Sequence, residues 1–185
     1  MNALRYYLAI STFLAAPVLI AEPMTTERFL KIAAAPGDNK PLNRELAHIP
    51  YWPKYRVTID LKPESGEPTQ ERMTAHAKTV NGDYLVAWFY SPLYRQKLYS
   101  ITAHSPTTRK YETWCLYGDT LVEAEFSLDI TSRTTQGTCT LTLGKDVFKE
   151  STTGVYEPKK ITERTTVTKN GAKFMTRTLT ITPEE

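Results

Sequence analysis

A surplus of charge of one sign is the first thing this sequence lacks. Its 23 Lys and Arg stand against 20 Asp and Glu, giving a formal net charge of +3, of which Arg5 in the leader contributes one. The basic residues are scattered through strand-like segments rather than gathered in a stripe. Electrostatic capture of nucleic acid needs a concentrated basic face, so no nucleic-acid partner is expected. Histidine is scarce too: His48, His76 and His104 have no metal-type spacing, so surface positions are expected and no metal site. The chain has no Gly-x-Ser-x-Gly elbow, no phosphate loop and no HExxH helix, and neither a catalytic residue nor a cofactor is expected. Glu123 and Glu125 resemble a working carboxylate pair, but their outward parity predicts a solvated strand face.

Long apolar runs are also missing beyond the N-terminus. The run from Leu8 to Ala21 follows Arg5, is interrupted by Pro17 and gives way to Glu22. It is shorter than the roughly 20 residues a spanning helix requires. The pattern predicts a signal peptide over residues 1–21, and hence a periplasmic or secreted protein without a stable membrane span. Cysteine is limited to Cys115 and Cys139. Export favours a disulfide between them. Strand spacing opposes one, because an intervening strand would hold the two backbones about two 4.8 Å steps apart.

What the sequence does contain is strand after strand. Thr25 or Thr26 can cap a short helix in "TTERFLKIAAA", which Pro36-Gly37 stops, and a second helical turn fits "LNRELAHI". Residues 22–54 are therefore read as helical segments that plug the domain, and residues 55–185 as the domain itself. From Tyr55 the period becomes two: Tyr55, Val57, Ile59 and Leu61 share one face and Arg56, Thr58, Asp60 and Lys62 the other. With the segments that follow, the chain holds nine to ten such strands in all, with no internal repeat and no linker. Short connections and the need to remove exposed edges predict an all-β, antiparallel up-and-down meander closed into a barrel.

Two Asn-Gly hairpins fix the faces. A two-residue turn at Asn81-Gly82 pairs Ala77 with Val86 and Ala75 with Trp88, directing Tyr84, Val86, Trp88 and Tyr90 inward and Leu85 and Phe89 outward. A three-residue turn around Asn170-Gly171 instead places Ile161, Glu163, Thr165 and Val167 on one face with Met175, Arg177, Leu179 and Ile181. The candidate barrel lining is then Tyr55, Ala75, Ala77, Trp88, Tyr90, Tyr99, Trp114 and Phe126. Arg177, directed inward, is expected to meet Glu163 and to stack on Trp52 at the plugged end.

The segments "HIPYWPKYRVTIDL", "VNGDYLVAWFY" and "SPTTRKYETW", followed by polar-alternating hairpins, resemble the secreted lipocalin-like barrels grouped as domains of unknown function. In lipocalins a tryptophan near the first strand closes the barrel base under an arginine from the last strand. The resemblance implies those roles for Trp52 and Arg177, and a fold rather than an activity. Three functional classes follow from these observations. The first is a barrel holding a small apolar or amphipathic ligand between its strands. The second is a solid-core structural or interaction module with Leu85 and Phe89 outward, and the third an enzyme working at the barrel mouth.

Overall fold

The alternation of Tyr55, Val57, Ile59 and Leu61 with polar neighbours produces the first strand, β1 (Lys54–Pro63), with that set buried. In the computed structural model, which describes residues 23–38, 40–91, 96–117 and 119–184, nine more strands follow. They are β2 (Thr69–Val80), β3 (Tyr84–Ser91), β4 (Gln96–Ser105), β5 (Lys110–Tyr117) and β6 (Thr120–Asp129). Then come β7 (Thr134–Leu143), β8 (Asp146–Glu157), β9 (Lys160–Lys169) and β10 (Ala172–Pro183). Each pairs antiparallel with its neighbour in sequence, and β1 pairs with β10, so the meander closes into a ten-stranded barrel. Closure pairs every strand on both sides and leaves no open ladder. The signal-peptide expectation for residues 1–21 lies outside the described residues.

The first hairpin corrects the expected register. Val80 pairs with Tyr84 and Ala77 with Ala87, so the loop is the three residues Asn81 to Asp83, with Asn81 and Gly82 at φ of 59° and 74°. One extra loop residue shifts β3 by one position, and a shift of one reverses both faces. Leu85, Ala87 and Phe89 therefore point into the barrel, while Tyr84, Val86, Trp88 and Tyr90 point out.

The outward face of β3 is not left to solvent along its whole length. The helix α1 (Thr26–Ala34), capped by the Thr25 hydroxyl accepting from the Arg28 N–H, lies outside the barrel wall. Its buried Phe29, Ile32 and Ala33 cover Val80, Tyr84, Val86, Ile101, Ala103 and Trp114, forming a second core. At roughly 1.5–3 kcal/mol for each large side chain buried, Phe29 and Ile32 are the helix's main attachment. Lys78 donates its ammonium to the Ala33 and Ala35 carbonyls at the helix C-terminus, where the helix dipole favours a cation. The expected plug is thus divided. The helix is external, and the 3-10 turn Leu46–His48 with Ile49 and Trp52 covers one barrel end, where Leu46 and Ile49 join the main core.

The closing hairpin reaches the expected faces by another route. Lys169 pairs with Ala172 across a two-residue turn, with Asn170 and Gly171 both at positive φ, and a β-bulge at Phe174 inserts one residue before Met175. The bulge restores the parity that a two-residue turn alone would break, so Met175, Arg177, Leu179 and Ile181 face inward beside Ile161, Glu163, Thr165 and Val167.

Candidate functional site

Of the expected lining, the structure turns Tyr55, Ala75, Ala77 and Phe126 toward the barrel interior. Trp88, Tyr90, Tyr99 and Trp114 lie on the outer wall instead. Trp114 is buried in the core under the helix, with Tyr99 packed at its border. Trp88 stacks on His76 with ring centres 5.5 Å apart and carries the Lys78 and Lys97 ammoniums at 5.7 and 5.8 Å. Tyr90 is 58% exposed. The β3 register shift explains Trp88 and Tyr90 directly, and it carries Tyr99, opposite Trp88 in β4, to the same side.

The interior of the described barrel is filled from β10. Arg177, with no exposed surface, extends into the interior, where Thr165 bonds it and its charge bears on the Cys115 thiol. Its Nη2 donates to the Thr165 hydroxyl at 3.0 Å and meets Glu150 Oε2 at 3.3 Å. Glu163, on the same inner face of β9, accepts from the Tyr156 hydroxyl at 3.0 Å, and its second oxygen is buried with no hydrogen-bond partner among the described residues. Burial pushes the Glu163 carboxyl up to about 8, against the opposing pull of the Tyr156 hydrogen bond and the Arg177 charge. Gly154 is the packing condition for this arrangement: a Cβ there would come within 2.5 Å of the Thr135 hydroxyl and 2.9 Å of the Glu163 side chain.

The anticipated Arg177 partners are therefore corrected in part. Glu163 bears on Arg177 electrostatically, but the guanidinium is directed to Glu150 and Thr165. Trp52 packs at the level of Tyr55, Ala77, Leu85, Ala87, Ile161 and Ile181 around a space of about 20 Å³, whereas Arg177 pairs with Leu61 and Thr165 deeper along the barrel. Four residues of strand separate Arg177 from Ile181, roughly 13 Å at 3.3 Å per residue. Glu150 carried no alternation signal beyond its place in "DVFKESTT", where Phe148, Glu150 and Thr152 share a face. Phe148 at one end of that face was the available clue.

Cys115 and Cys139 are thiols, not a disulfide. Both face inward, on β5 and β7, with β6 between them. Burial is the main cause that drives the Cys115 thiol well above its ordinary range, followed by the proximity of Cys139 and Glu150, so it is held protonated and unreactive. On the outer wall, carboxylates of Glu112, Glu123 and Glu125 lie within 4.8 Å of one another, with Lys110 bonded to Glu125 at 2.6 Å.

The barrel end carrying the plug has an open groove of about 380 Å³. Its walls combine Ile49, Pro50, Leu128, Ile130 and Pro158 with the polar His48, Arg133, Tyr156 and Glu157. Ile130, which continues the alternation of Phe126 and Leu128, sits in the β6–β7 turn, 49% exposed. Arg133 closes the same turn at φ 54°, a left-handed backbone that favours Gly or Asn, and its carbonyl accepts from the Tyr156 N–H at 2.9 Å. Nothing in the sequence marked this groove, because it joins a turn, a plug and a strand end distant along the chain.

Neither a family model nor a curated protein matches the sequence. Among solved structures, the chain is similar to the ywiB protein from Bacillus subtilis, with 12% identity and a TM-score of 0.38 over 71% of this chain and 92% of that chain. Among the described residues, no helix is long and apolar enough to cross a membrane.

Proposed function

We propose that this β-barrel protein binds a small amphipathic ligand in the groove at its plugged end. The observation that carries the reading is the groove itself. It has a volume of about 380 Å³ and an apolar wall, with a few polar groups converging on one space. Small-molecule sites are commonly concavities of about 300–1,000 Å³ with that division of labour. Ile130 supports it, since a large aliphatic side chain held half-exposed beside Leu128 and Pro158 gains from being covered. Arg133 and His48 supply donors for an anionic or hydrogen-bonding head group, and Leu128, Ile130 and Ile49 cover the tail. The interior described above is occupied by its own side chains around Arg177, which favours the mouth over the lumen as the ligand's place.

Calorimetric titration with decanoate, a carboxylate with an apolar tail, tests the reading. Saturable binding is expected in the wild type. Ile130→Ser removes apolar contact and Arg133→Ala the cation, and each is expected to weaken binding by about 5–10-fold, equivalent to roughly 1 kcal/mol. No heat from the wild type with decanoate, or equal binding by all three proteins, would reject this site. The location proposed for the protein remains periplasmic or secreted, on the strength of Arg5 and the apolar run after it.

A further inference from the structure

The barrel interior does not balance its own charges. Among the described residues the buried charged side chains are Glu150, Glu163 and Arg177, two carboxyls for one guanidinium. Arg177 takes the Glu150 side as its partner, while Glu163 is held by a single phenol, that of Tyr156. Both ionised, the three would leave a net negative charge sealed from water, which is far costlier than keeping one proton. The proton falls to Glu163, which lies on the Tyr156 phenol rather than on the guanidinium and whose carboxyl burial pushes up to about 8.

Position makes this proton consequential. Tyr156 links Glu163 to the plugged end: its hydroxyl donates to Glu163 inside, and the residue is among those lining the groove with Ala47, His48 and Ile49 of the plug. The plug is held by few polar ties. The Tyr111 hydroxyl donates to the Glu45 carbonyl at 3.2 Å and the Tyr51 hydroxyl to the Ala77 carbonyl at 3.1 Å, while the ends of the segment are tied by the Asn43 N–H to the Gly82 carbonyl and the Ala77 N–H to the Pro53 carbonyl, each at 3.0 Å; Leu46 and Ile49 between them add apolar contact. The groups bearing on Glu163 from the surrounding elements are Tyr156 from β8 and Arg177 from β10, and Arg177 in turn meets Glu150 of β8. Tyr111 and Cys115 of β5 lie beyond them, with Glu45 and His48 in the plug. Within this set the sole full positive charge resident inside the barrel is Arg177, already engaged with Glu150. An ionised Glu163 must therefore gain water, and the adjacent route is past Tyr156 and the plug.

We propose that the Leu46–His48 turn and Ile49 form a proton-gated lid, shut while the interior acid Glu163 keeps its proton and loosened when that proton leaves. The device does not depend on a ligand in the groove. Closed, the lid keeps Leu46 and Ile49 at 1% and 3% exposure. Open, it wets the layer of Tyr111, Tyr156, Ile161 and Ile181 beneath.

Methyl NMR with isoleucine δ1-methyl labelling and a neutral paramagnetic chelate reads this directly, because methyl groups do not exchange with water and the chelate carries no net charge. Ile49 reports the lid, Ile59 and Ile101 are fully buried references, and Ile130 is an exposed one. In the wild type the Ile49 signal is expected to survive the chelate at about pH 6.5 and to be lost at about pH 9.5, while Ile59 and Ile101 survive at both. Glu163→Gln, which copies the protonated shape, is expected to keep Ile49 protected at both values. Tyr156→Phe removes the hydrogen bond that favours the ionised acid, so its transition moves to higher pH. His48→Gln leaves the transition where it is. Persistence of the wild-type loss in Glu163→Gln, protection of wild-type Ile49 throughout, or a Tyr156→Phe transition that stays put or moves to lower pH would overturn the proposal.

Discussion

Replacing Arg177 by Met probes the barrel's centre, because the new side chain keeps much of the length and removes the charge. The guanidinium is fully buried, 3.0 Å from the Thr165 hydroxyl and 3.3 Å from Glu150. Its loss leaves the Glu150 carboxylate buried without its cation, and breaking a buried pair from one side costs about 3–5 kcal/mol. That is a large share of the roughly 5–15 kcal/mol by which a domain is stable. The size of the effect comes from the charge left behind rather than from a strong bond, so Glu150→Gln on top of Arg177→Met should return a good part of it. In urea unfolding at neutral pH, the single variant is expected to lower the midpoint with an unchanged slope. The double variant is expected to be more stable than the sum of the two single losses allows, by at least about 1 kcal/mol. A loss below about 1 kcal/mol for Arg177→Met, or strict additivity in the double variant, would refute a buried pair at the centre.

Three further outcomes follow from the same geometry. Glu163 ionises near its ordinary 4.5 in the unfolded chain but near 8 in the folded one. The unfolded state thus binds fewer protons in between, and stability is expected to fall as pH rises from about 4.5 to 8 and then level off. Glu163→Gln should flatten that slope in a series of denaturant titrations, and an unchanged slope would remove Glu163 as its source. Gly154→Ala, whose Cβ would lie 2.5 Å from the Thr135 hydroxyl, is expected to cost about 1–3 kcal/mol in thermal or urea unfolding; a neutral effect would show that the wall yields there. Cys115 and Cys139, both buried thiols, should resist alkylation in the native protein and take up two equivalents of iodoacetamide in denaturant without reductant, whereas uptake only after reduction would show a disulfide.

The closed meander was legible because its signals are local: period-two alternation from Tyr55 onward and a turn signal at each reversal. Faces were harder, since each depends on the count of residues in a loop. At Asn81-Gly82 a three-residue loop, with Asp83 included, reversed the expected face of β3 and sent Trp88 and Tyr90 outside. At Asn170-Gly171 the loop is shorter than expected, yet the bulge at Phe174 leaves Arg177 inside as anticipated. An Asn-Gly pair supports either loop length, and the packing of the flanking strand decides. For β3 both faces are apolar, because α1 covers one of them, so alternation could not choose between the registers. The partnership of Arg177 with Glu150 is across β9, and the groove joins the plug to the β6–β7 turn. Neither separation leaves a trace in a linear pattern.

If a ligand is held at the plugged mouth, it sits beside an interior already occupied by Arg177 and its neighbours. Methyl chemical-shift mapping during a decanoate titration tests that placement most directly. Saturable shifts are expected at Leu128, Ile130 and Ile49, with the interior Val57, Ile59 and Leu179 unmoved. Shifts centred on Val57, Ile59 and Leu179, with Ile130 unchanged, would place the ligand in the lumen and contradict it.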